Sequence, residues 1–99
     1  MAHDVIKIDF PKADEMRKTF KASAQQLDQT IKEMKAIATT LEQGALLGSG
    51  GQAYVDAIKT KLIPSLTKFM AKMNELDNDV KAAVDYMKQG DAQVKSQMG

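Results

Sequence analysis

Catalysis needs groups that exchange protons, hold a metal or attack an electrophile, and this chain offers few. His3 is its one histidine, and there is no cysteine. Without a thiol or a second imidazole, Cys/His metal sets, Cys–His nucleophiles and disulfides are excluded. Glu75, Asp77 and Asp79 fall within five residues. Helical spacing turns them to different faces, and the ligand pattern and glycine of an EF-hand loop are missing, so they read as a solvated surface. Gly48-x-Gly50-Gly51 before a helix has the form of an anion cradle. No strand precedes it, and no Gly-x-x-x-x-Gly-Lys occurs anywhere. The sequence predicts no enzyme, no cofactor and no metal.

Charge excludes further classes. The 14 basic and 13 acidic residues give a net charge of +1 and are not blocked into a tail. No bulk field draws nucleic acid or an anionic membrane. The apolar runs are too short to cross a bilayer. Met1-Ala2-His3-Asp4-Val5 lacks the basic start and apolar core of a signal peptide. The expectation is a protein secreted without a cleavable signal, or cytoplasmic before export.

What the residues do specify is helix. Four of the six glycines lie in Gly44-Ala45-Leu46-Leu47-Gly48-Ser49-Gly50-Gly51, near the middle of the 99 residues. Glycine weakens a helix and suits a reversal, so the chain reads as one domain, a helical hairpin. Residues 1–10 form an extended arm, 11–43 helix 1, 44–49 a glycine-rich turn, 50–89 helix 2, and 90–99 a flexible tail beginning at Gly90. Asp9 is placed to cap helix 1, with Pro11 in its first turn. Gly44 stands where a left-handed residue closes a helix, and Ser49-x-x-Gln52 fits a capping box for helix 2.

Each helix carries a heptad-like apolar stripe. On helix 1 it runs Met16, Phe20, Ala24, Leu27, Ile31, Met34, Ala38 and Leu41. On helix 2 it runs Tyr54, Ile58, Leu62, Leu66, Phe69, Met73, Leu76, Val80, Ala83 and Met87. Pro64 interrupts helix 2, and because the stripe reads on across it, a kink in one continuous helix is expected. Tyr54 is expected to close the core at the hairpin tip. Ile37, Ile63 and Met70 lie beside the stripes as surplus apolar positions. A hairpin alone has no third layer to cover them, so the sequence predicts an all-α, antiparallel two-helix hairpin that pairs into a four-helix bundle as a dimer.

The stretch Leu46-Leu47-Gly48-Ser49-Gly50-Gly51-Gln52-Ala53-Tyr54 resembles the turn of the WXG, or early-secreted-antigen-like, family. Its members are helical hairpins of about a hundred residues whose turn carries Trp-x-Gly, followed by Ala and an aromatic residue. Leu46 stands at the tryptophan position, Gly48 at the glycine, and Ala53 and Tyr54 at the Ala–aromatic pair. With the Ile6-Lys7-Ile8-Asp9 arm and the two helices, the resemblance spans nearly the whole chain. It implies export through a type VII machine as a homo- or heterodimer. The implied partners are the chain itself or a related small helical protein, a larger secreted effector and the export ATPase.

The family's Tyr-x-x-x-Asp/Glu export signal is not intact here. Tyr86 meets Gly90 at the fourth position, with Asp91 one residue beyond, while Phe10 and Asp14 have the spacing at the opposite end of the chain. These departures point to a chain that travels with, or chaperones, a signal-bearing partner. The rival reading is an intracellular coiled-coil adaptor or structural subunit with no link to export.

Overall fold

Two helical rods lie side by side and antiparallel. The computed structural model describes residues 9–44 and 48–98. Helix α1 spans Phe10–Gln43, α2 spans Ser49–Ala57, a wide π turn spans Ile58–Leu62, and α3 spans Ile63–Met98. The last three run on without a break as one long rod. The molecule measures 75 × 24 × 16 Å, with a radius of gyration of 22.0 Å, against about 13 Å for a compact chain of this length.

Local chemistry accounts for the start of α1. Asp9 is extended, and its carboxylate accepts the Lys12 N–H at 3.1 Å, with Pro11 in the first turn. The other ends depart from expectation. Gly44 is not left-handed: it leaves α1 at φ −75°, ψ 146°, and its N–H still donates to the Leu41 carbonyl. The Ser49 capping box does not form. Helix α2 begins at Ser49 itself behind Gly48, with no side-chain cap. Gly90 ends nothing, since α3 continues to Met98 in place of the expected tail. A glycine costs a helix about 1 kcal/mol relative to alanine, which weakens the rod locally without stopping it.

Pro64 acts through the turn before it. A proline in a regular helix leaves the carbonyl four residues back without its N–H and presses its ring against that oxygen. Here the ladder widens first, and the Ile63 N–H donates to the Ile58 carbonyl five residues back. The π turn adds one residue to the spacing, so the buried step is Ile58 to Ile63. The stripe therefore does not keep its phase across Pro64. Ile63 packs into the core near the tip, and Met70 is half-buried. Leu62 and Phe69, expected on the stripe, stand 41% and 60% exposed.

The seam of α1 matches its stripe more closely. Ala13, Ala24, Ile31 and Ala38 are buried, and Phe20, Leu27, Met34 and Leu41 are half-buried between them. Three alanines among these four let the rods approach closely. The tightest cluster lies near the tip, where Ala38, Val55 and Ile58 pack with Met34, Leu41 and Ile63.

A part-buried ion pair crosses the seam. Arg17 Nε donates to Asp77 Oδ1 at 2.9 Å, with the Asp77 side chain 9% exposed and that of Arg17 24%. Asp77 is thus buried, not the solvated acid its neighbours suggest. Removing one member of such a pair leaves a charge poorly solvated and unpaired, whereas replacing both with apolar groups need cost little. Asp77→Ala should lower unfolding stability by about 2 kcal/mol or more. Arg17→Met with Asp77→Leu should recover most of that loss, read from urea denaturation curves.

Candidate functional site

The two rods have unlike flanks. On α1 the residue just after each seam position in every second turn is charged: Asp14, Lys21, Asp28, Lys35 and Glu42. This flank faces the matching one on the second rod. Glu42 pairs with Lys59 across the gap near the tip, and Lys21 and Asp28 line a shallow cleft with Asn74 and Met70. Towards the base, Lys88 Nζ lies 5.5 Å from the Phe10 ring centroid, a favourable cation–π distance.

The opposite flank carries no charge on either rod. On α1 it is Met16, Ser23, Thr30 and Ile37, and on the second rod Tyr54, Leu62, Phe69, Leu76, Ala83 and Gly90. Seven-residue spacing, with one extra residue between Tyr54 and Leu62 taken up by the π turn, keeps each set on one side of its helix, and the rods' antiparallel packing brings both sets to one face of the hairpin. Met16, Ile37, Tyr54, Leu62 and Phe69 are 41–60% exposed there. Shallow recesses lie between Tyr54 and Leu62 and beside Phe69, bordered by Lys61, Ser65, Lys68 and Lys72.

The expected stripe of the second rod thus splits in two. Ile58, Leu66, Met73, Val80 and Met87 face α1, whereas Tyr54, Leu62, Phe69, Leu76 and Ala83 line the uncharged flank. Tyr54 does not close the core at the tip. Val55, its neighbour, is 1% exposed in that role. Of the turn motif, Leu46 lies outside the described residues. Gly48 has extended backbone at φ −78°, a methyl there would meet nothing within 4 Å, and Ala53 is exposed.

The export-signal candidates do not form one face. Tyr86 is 73% exposed. With α3 continuing through Asp91, five residues at 100° each place position 91 about 140° round the axis from position 86. Phe10 is half-buried, and Asp14 pairs with Lys18 at 3.1 Å. Nearby, a hydrogen bond from Lys81 at 2.8 Å holds the exposed Asp85 carboxyl below its usual range. Among the described residues, no group of acids and His is placed to hold a metal, and no helix is long and apolar enough to cross a membrane.

The Arg17–Asp77 pair is the feature the sequence reading missed. The signal was present: Asp77 stands four residues after Met73 and three before Val80, and Arg17 four after Ala13 and three before Phe20. Each charge therefore occupies a seam position on its own helix.

The profile of WXG100, described as "Proteins of 100 residues with WXG", matches residues 5–92. The chain belongs to the WXG100 family. Its hairpin of two helical rods is the WXG100 architecture, and WXG100 members are small helical proteins associated with type VII secretion, in general without enzymatic activity. No curated protein and no solved structure matches the chain.

The two flanks predict opposite responses to substitution. Val55→Ala, at 1% exposure, should cost the hairpin about 2 kcal/mol. Phe69→Ser, at 60% exposure, should leave the far-ultraviolet circular dichroism of the hairpin unchanged.

Proposed function

We propose that this WXG100 chain is a non-enzymatic component of a type VII secretion system. It pairs through its uncharged flank with another helical hairpin, forms a four-helix bundle, and reaches the export machine with a signal-bearing chain. The observation that carries this is the flank itself, where ten positions aligned along two rods lack charge and five bear large exposed apolar side chains. A patch of that extent is a protein-docking surface.

Surface area supports the same reading. The chain exposes 7576 Å², whereas a compact monomer of its mass exposes about 5,600 Å². The excess is larger than the roughly 800 Å² that each partner contributes to a standard interface. Dependence on a signal-bearing chain follows from Tyr86, whose fourth following residue is Gly90 and not an acid.

Leu46, at the family's tryptophan position, is proposed as the tip residue read during export. A secretion assay in a host with an active type VII system tests both points. Export should require co-expression of a signal-bearing helical-hairpin partner. Leu46→Ala should cut export severalfold while the purified variant keeps its helical content. Full export of the chain expressed alone would overturn the partner requirement, and a Leu46→Ala variant that fails to fold would return that residue to the turn's structure.

A further inference from the structure

We propose that the outward ridge of the second rod, Lys61, Ser65, Lys68 and Lys72, is a docking site for a short acidic segment of another protein. The ridge borders the uncharged flank, but the lysines that carry it are not part of that flank. Its failure would therefore leave the pairing reading standing.

The first argument is the distribution of charge. The net charge of +1 hides a division along the second rod. From Ala57 to Asn74 the chain carries four lysines and no acid, whereas Glu75, Asp77 and Asp79 follow at once. Two of those lysines are engaged, since Lys59 pairs with Glu42 across the rods and Lys72 meets Glu75 at 3.4 Å. Among the described residues, Lys61 and Lys68 form no ion pair.

The second argument is geometry. Lys68 stands nine residues before the buried Asp77, two and a half turns, and so on the side of α3 opposite the seam. Lys61, Ser65 and Lys72 are exposed with it. Two shallow recesses join them. Lys61 and Ser65 border the one beside Leu62, and Ser65, Lys68 and Lys72 border the one beside Phe69. Exposed ion pairs alone hold little. The Phe69 recess adds an apolar foothold, and lysine stems cover carbon while their ammonium groups reach outward.

Length decides the kind of partner. From Lys61 to Lys72 the ridge runs about 16 Å at 1.5 Å per residue, the span of about five extended residues. Beyond it the same outward side turns acidic. Glu75 and Asp79, both exposed, each lie about 160° round the axis from Asp77. A flat anionic bilayer or a long polyanion laid along the rod would press on those carboxylates. A segment of five or six residues meets the lysines alone.

The probe is a fluorescein-labelled peptide, Glu-Leu-Glu-Phe-Glu-Glu, titrated against the purified chain. Binding should weaken severalfold between about 50 and about 300 mM salt, and amide shift changes should centre on Lys61 to Lys72. Lys61→Glu with Lys68→Glu should weaken it by about tenfold or more. Lys12→Glu with Lys18→Glu, the same change in net charge on α1, should alter it by less than about twofold. Both variants should keep the circular dichroism of the folded hairpin, because all four side chains lie on the surface. Equal losses in the two variants, or shift changes spread over the lysines of α1, would reduce the effect to bulk charge and overturn the site. Phosphatidylglycerol vesicles or oligothymidylate bound more tightly than the peptide, through Lys61 and Lys68, would overturn the acidic segment as occupant. A peptide that fails to bind at the lower salt concentration would overturn the proposal outright.

Discussion

A pair of helices can bury only the strip that each turns toward the other. That constraint shapes this molecule, because its sequence makes the apolar sector wider than one strip. On the second rod the sector runs from Ile63, Met70 and Val84 at one edge to Leu62, Phe69 and Ala83 at the other. The first edge meets α1 and the second faces out. The buried apolar set is correspondingly thin, three alanines with Ile31, Val55 and Ile58. Close approach of the rods comes from small residues, and large side chains such as Phe69 remain exposed.

Which edge faces inward is set by two features. Arg17 and Asp77 are satisfied only in one alignment of the rods, where the guanidinium and carboxylate meet at 2.9 Å. Sliding one helix by a turn would bury both charges apart at a cost of several kcal/mol. The π turn before Pro64 then lets the seam continue past a residue that cannot donate to the ladder. It moves the inward step to Ile63 and leaves Leu62 outside. Charge completes the sidedness, since one flank pairs Glu42 with Lys59 across the rods and the other carries neither acid nor lysine.

The hairpin, its helix types and the seam of α1 were legible from period alone, because Ala24, Ile31 and Ala38 recur on one phase with charged residues beside them. The phase of the second rod was not. Steps of four and three fit either edge of a broad stripe equally well, so Tyr54, Leu62 and Phe69 looked as suitable as Val55, Ile63 and Met70. Only the lateral position of α1 separates them. The ends were legible where a side chain makes the cap, as at Asp9, and illegible where glycine leaves the outcome to context, as at Gly44 and Gly90. The family resemblance reached the function class through a few residues near the turn, while the uncharged flank emerged only from three-dimensional sidedness.

The central claim is that the uncharged flank of the folded hairpin is completed by another chain. The most direct measurement is the thermal melt of the purified protein over a range of concentration, from about 1 to about 100 µM. Association makes stability depend on concentration, so the midpoint should rise by several degrees across that range. A midpoint that does not move with concentration, either for the chain alone or for the chain mixed with a signal-bearing partner, would contradict the account.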